Sequence, residues 1–164
     1  MLATLQLPLS DPVLSRNMYS SKLLRAPLEL IKRHVESVVD GTSDAPKIKF
    51  LADSAHDWTV ATLMMFLDAT NGSFENIPFA SHVKLELHST DGCSDEECFW
   101  VEAIYNGELL SYEGDCKDAT HCTYPEFLHV LQRKGFVYTE SHYNDECAKN
   151  WTHPDDEVFM VMKN

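Results

Sequence analysis

Residues 47–53 read Lys-Ile-Lys-Phe-Leu-Ala-Asp, and this short run constrains the fold more than any other. It lies between two helical patterns and ends in small and polar residues, so it predicts a strand, a tight turn and a helix in succession. A strand of this kind, rich in Ile, Phe and Leu and covered by helices, needs a sheet neighbour on each side. Only about three strands can be read in the whole chain. The chain therefore reads as part of a larger α/β domain.

The flanking patterns follow from spacing. From Ser20, the residues Leu24, Leu28, Ile31, Val35 and Val38 recur at three- and four-residue intervals, with Lys32, Arg33 and Glu36 on the opposite side, which predicts an amphipathic helix. Pro27 either starts that helix or kinks it. Gly41 supplies a C-cap, and the turn residues run on to Pro46. A second helix is predicted over 59–69, with Val60, Leu63, Met64 and Leu67 inward and Asn71-Gly72 as its stop. Residues 82–88 alternate with period two, as a half-buried strand does. Residues 99–104, running into Tyr105-Asn106-Gly107-Glu108, form its hairpin partner across an acidic loop that holds Cys93 and Cys98. A last helix spans 124–134, carrying Phe127, Leu128, Val130 and Leu131. Residues 1–18 read as an irregular lead-in to a domain over 19–164.

The chain has 164 residues, with 13 Lys and Arg against 26 Asp and Glu, a formal charge of −13. One soluble globular domain is expected. A surface so acidic cannot neutralise a phosphate backbone, so nucleic acid is not an expected partner. No apolar run reaches the length of a membrane span. The apolar opening lacks a basic region and is broken by Pro8, so it does not read as a signal peptide, and any targeting segment would lie outside this chain. Five cysteines fall in the C-terminal half, and Asn71-Gly72-Ser73 and Asn150-Trp151-Thr152 are glycosylation sequons. Together they point to the secretory pathway, lysosomal or extracellular.

Chemistry is expected at Ser54-Ala55-His56-Asp57-Trp58-Thr59, where a strand would hand over to a helix. Ligands of open α/β sheets bind beyond the carboxyl ends of strands, and a helix starting there offers unpaired N–H groups to an anion. His56 could donate to a phosphate oxygen, and Asp57 could protonate a departing alkoxide. The plainer reading makes Asp57 a helix cap and His56 a turn residue.

Residues 53–60, Asp-Ser-Ala-His-Asp-Trp-Thr-Val, resemble the Ser-Ala-His-Asp-Thr-Thr segment of the histidine acid phosphatases. The helix over 19–39 resembles the long helix before that segment. Pro78-Phe79-Ala80-Ser81, with the strand over 83–88, resembles the family's Pro-Tyr-Ala-Ser strand. Tyr105-Asn106-Gly107 matches its turn, and Cys122 through Phe127 matches its closing Cys-x-x-x-x-Phe helix. The order is collinear over residues 19–135. The resemblance implies the C-terminal part of a phosphoglycerate-mutase-like three-layer α/β sandwich. It also implies phosphomonoester hydrolysis through a phosphohistidine, with His56 binding phosphate and Asp57 as proton donor, and with no cofactor or metal. The family's nucleophile lies in an Arg-His-Gly-x-Arg segment that this sequence does not contain. Arg33-His34 is followed by Val35 inside the first helix. Trp58 stands where the family usually has Thr. The implied activity thus needs an N-terminal half, and the alternative is a truncated, inactive relative serving interaction or assembly, with a protein partner covering the incomplete sheet.

Cys93-x4-Cys98 and Cys116-x5-Cys122 admit three readings, local disulfides, four zinc ligands or free thiols. The spacing is wider than that of zinc knuckles. Cys147 is then unpaired or joined to sequence outside this chain. His121, His129, His142 and His153 show no ligand spacing, and most of them read as solvated. The glycines fall in turns and form no phosphate-binding run. The acidic stretch 144–157 reads as a solvated face, and 158–162 as a short apolar strand or helix.

Overall fold

Helix α1, Ser21–Val39, buries Leu24, Leu28 and Val35 and packs Leu23, Ile31 and Val38 against the same core. Lys32 and Glu36 meet at 3.7 Å on its exposed side. Pro27 lies inside this helix and does not begin it, so the backbone forgoes one hydrogen bond there. The end is a Schellman motif: the Gly41 N–H donates to the Val38 carbonyl at 3.2 Å and the Thr42 N–H to the Ser37 carbonyl at 2.9 Å. Gly41 supplies the left-handed φ of 64° that this geometry requires. The computed structural model describes residues 20–69 and 77–136, and beyond these only positions 139, 141, 144, 145 and 148. The predicted lead-in, Asn71-Gly72, both sequons, Cys147, His142, His153 and the apolar stretch 158–162 lie outside the described residues.

The predicted strand over 47–53 is not formed. These residues have no regular secondary structure and are exposed throughout, with Ile48 at 58%, Phe50 at 83% and Leu51 at 45%. The physical reason is the one anticipated for its neighbours: among the described residues no strand lies alongside, so the backbone has nothing to pair with.

Helix α2 spans Asp57–Leu67 and buries Ala61, Thr62, Leu63, Met64, Phe66 and Leu67. Thr62 tolerates burial because its hydroxyl donates to the Trp58 carbonyl at 2.7 Å. The Ser20 hydroxyl reaches the Thr62 carbonyl at 3.2 Å and ties the start of α1 to α2. The helix stops at Asp68, in left-handed conformation with φ 43°, before the Asn71-Gly72 stop that the sequence suggested. Aspartate is one of the few residues besides glycine that takes this conformation readily. Lys134 holds the same turn from the far end of the chain, with Nζ 3.1 Å from the Asp68 carboxylate and 3.3 Å from its carbonyl.

Strands β1, Val83–Ser89, and β2, Phe99–Tyr105, form the expected antiparallel hairpin. Asn106 and Gly107 then take φ of 50° and 91°, the two left-handed positions of a type I′ turn, and β3, Glu108–Leu109, returns along β2. A short strand β4, Cys122–Thr123, pairs with the other end of β2 and completes a four-stranded sheet. Leu85 and Leu87 stand opposite Ala103 and Val101 and face the core, and the alternate positions Lys84, Glu86, His88, Trp100 and Glu102 share the outer face. Helix α3, Tyr124–Arg133, closes the core with Phe127, Val130 and Leu131. It begins in a capping box, with the Glu126 N–H on the Thr123 hydroxyl at 3.4 Å and the Thr123 N–H on Glu126 at 3.0 Å.

Disulfides Cys93–Cys98 and Cys116–Cys122, with Cα atoms 5.6 and 5.1 Å apart, decide among the readings of these cysteines and set aside the zinc site and the free thiols. The architecture is mixed α/β, with helices packed on a small antiparallel sheet. Two disulfides suit an oxidising environment. No described helix is long and apolar enough to cross a membrane.

Candidate functional site

The two residues singled out by sequence stand side by side at the start of α2. His56 is its N-cap, with extended backbone, and its carbonyl accepts the Thr59 and Val60 N–H groups at 3.0 and 3.2 Å. Its side chain makes no capping hydrogen bond. Instead its ring lies against that of Trp58, centroids 6.4 Å apart and planes 25° from parallel. Asp57 is the first helical residue, and its Oδ1 accepts the Trp58 N–H at 2.7 Å. The carboxylate therefore takes up one first-turn donor from within the helix, the N-cap itself being His56, and sits where the helix dipole favours a negative charge. Both side chains are exposed, and Trp58 is 40% exposed beside them. Arg33 and His34 lie on α1, where the His34 ring meets Phe99 edge-on at 6.4 Å.

A second constellation was not read from the sequence. On the outer face of the hairpin, Glu86 stands directly across from Glu102 and His88 across from Trp100. The His88 ring stacks on the indole at 5.3 Å and 11°. His88 Nε2 is 3.4 Å from Glu86 Oε2 and 3.6 Å from Glu102 Oε2. The other oxygen of each carboxylate is held elsewhere: Lys84 Nζ is 3.0 Å from Glu86 Oε1, while Trp100 Nε1 at 3.2 Å and His121 Nε2 at 3.1 Å share Glu102 Oε1. The Lys84 hydrogen bond holds the Glu86 carboxyl below its ordinary value, against a smaller opposing effect of burial. Asp118 is held low by the Thr120 backbone N–H, with help from His121.

His121 is thus engaged with Glu102 and, at 3.4 Å, with Asp118, and is not among the histidines that are merely solvated. The period-two alternation over 82–88 already put Lys84, Glu86 and His88 on one face. What linear spacing could not supply was the strand register that brings in Glu102, or the disulfide-bounded loop that delivers His121. Elsewhere, burial raises the Tyr112 hydroxyl, and the charge of Asp68 adds to the effect.

No family model, curated protein or solved structure matches the chain.

Proposed function

We propose that this chain is the C-terminal portion of a histidine acid phosphatase domain of three-layer, phosphoglycerate-mutase-like architecture that hydrolyses phosphomonoesters in a secretory, lysosomal or extracellular setting. The observation that carries the reading is the juxtaposition at the start of α2: His56 and Asp57, exposed and adjacent at a helix N-terminus, follow directly on an apolar segment, 47–53, left exposed. An N-terminal half pairing with that segment would build a sheet whose carboxyl edge opens on His56 and Asp57, where a phosphate would lie at the positive end of the α2 dipole.

In that complete site, a histidine from the N-terminal half attacks phosphorus, a P–N bond forms and the ester P–O bond breaks. The leaving oxygen takes its proton from Asp57. Water then cleaves the P–N bond, and His56 donates to a phosphoryl oxygen throughout. Covalent transfer needs both the nucleophile and a cationic clamp, so the chain alone should show no phosphomonoesterase activity.

The test pairs the chain with an N-terminal half carrying Arg-His-Gly. Turnover of p-nitrophenyl phosphate and an alkyl phosphate is expected from the pair. In the pair, Asp57→Asn should lower alkyl phosphate turnover roughly 100-fold and affect the aryl ester much less, because only the alkoxide needs a proton to leave. His56→Ala should impair both. Equal losses on both esters for Asp57→Asn would reduce that residue to a helix cap. A stable but inactive pair would favour the second reading, an interaction protein docked through Ile48, Phe50 and Leu51.

A further inference from the structure

The opposed pair Glu86 and Glu102 is the point of departure. Like charges directly across an antiparallel ladder are destabilising, yet here both carboxylates aim an oxygen at the same place. That place is marked by His88 Nε2, an atom shielded from solvent that has no hydrogen-bond partner among the described residues. A protonated imidazole bridging the two carboxylates would draw them to about 2.7–2.9 Å, the length of a charge-assisted hydrogen bond. The spacings of 3.4 and 3.6 Å are too long for that. Both are close to the separation of about 3.4 Å between ligand atoms roughly 2.0–2.1 Å from a tetrahedral zinc ion.

We propose that Glu86, His88 and Glu102 form a binding site for a divalent transition-metal ion, of which zinc is the representative. Their three ligand atoms lie within 4.8 Å of one another, and a cation between them would offset the repulsion of the two facing carboxylates. The remaining contacts are those a metal site uses to orient its ligands. Trp100 and His121 fix Glu102 through Oε1 and leave Oε2 to the ion, Lys84 does the same for Glu86, and the Trp100 indole holds the plane of the His88 ring. Glu102 sits deepest, at 16% side-chain exposure, and Glu86 and His88 form the rim at 39% and 37%. Three protein ligands on an open rim leave a fourth position for water or a ligand from solvent. One imidazole nitrogen with two carboxylate oxygens selects zinc-like ions over magnesium and calcium, which prefer all-oxygen shells. The chain's charge of −13 favours any cation's approach.

The test is calorimetric titration of the full chain with zinc chloride after chelator treatment, with cobalt absorption as the spectroscopic readout of coordination. A site that magnesium and calcium do not fill is expected. His88→Ala and Glu86→Gln should each weaken it by roughly 100-fold or more, beyond the 10–100-fold typical of losing an orienting contact. His129→Ala, altering an exposed histidine on α3, should leave it unchanged. Because Glu86 lies on the exposed rim, Glu86→Gln tests the site even if His88→Ala disturbs the hairpin. Absence of zinc uptake by the folded chain, or an affinity that neither substitution changes, would overturn the proposal.

Discussion

Two apolar stretches of this chain meet opposite fates. Within 83–133, Phe99, Val101 and Phe127 are 1–2% exposed, whereas within 47–58, Phe50 is 83% and Trp58 40% exposed. The difference lies in where each finds its partners. Strand β1 pairs with β2, the next strand in sequence, β2 turns on Asn106-Gly107 into β3, and a disulfide closes the loop on either side of this β2–β3 unit. Its strand pairing is local, and its apolar face packs on residues of α1 and α2 that share its core. The segment over 47–53 has the composition of a strand buried on both faces, and such strands pair with segments remote in sequence. The chain thus holds a packed core and an exposed apolar segment side by side.

The largest effect that tests this contrast is a pair of equivalent truncations. Phe99→Ala should cost about 3–5 kcal/mol, since it opens a cavity in the core. Phe50→Ala should change the stability of the chain alone by less than about 0.5 kcal/mol, and its effect should appear only as weaker association with an N-terminal half. Urea unfolding of both variants checks the comparison. A large loss for Phe50→Ala would mean that the segment is already packed.

Somewhat smaller is the contribution of the Cys116–Cys122 bond. Replacing both cysteines by serine should lower stability by about 2 kcal/mol, the amount expected for closing a short loop in the unfolded chain. Hydrogen exchange sharpens the test: amides of β4 and α3 should lose protection in the double variant, while those of 47–53 exchange fast before and after. Protection of 47–53 in the isolated chain would break the contrast between the two regions.

What could be read from sequence divides along the same line. Helix α1, the hairpin and α3 were legible because their signals are local: the spacing of Leu24, Leu28 and Val35, the C-cap Gly41, and the Asn106-Gly107 turn. The start of α3 also carried a Thr123-x-x-Glu126 box that the apolar pattern alone did not use. The strand over 47–53 was misread because its residues specify a strand only when neighbours exist. His56 and Asp57 were placed together correctly at the head of α2, since adjacent residues at a helix start need no tertiary information. Glu86, His88, Glu102 and His121 were not assembled, because their meeting depends on strand register and on a disulfide-bounded loop.

The smallest effect concerns pH at that outer face. Glu86 is held below its ordinary value of 4.5 first by the hydrogen bond from Lys84, so the folded chain gives up this carboxylate less readily to a proton than the unfolded chain does. The stabilisation is therefore complete above the ordinary value and drains away as pH falls through the lowered one. Both side chains are well exposed, which limits the pair to about 0.2–1 kcal/mol and makes it sensitive to salt. Asp118 is shifted in the same direction by Thr120 and His121, and other carboxylates titrate alongside, so the single slope of stability against pH cannot isolate the pair. A double-mutant cycle can: Lys84→Met and Glu86→Gln, separately and together, unfolded at pH 6 and at pH 3 in chelator-treated buffer. The coupling between the two positions should be present at the higher pH, shrink at the lower, and fade at high salt. A coupling that persists unchanged at pH 3 would assign the contact to packing of the lysine stem along the hairpin instead of to charge.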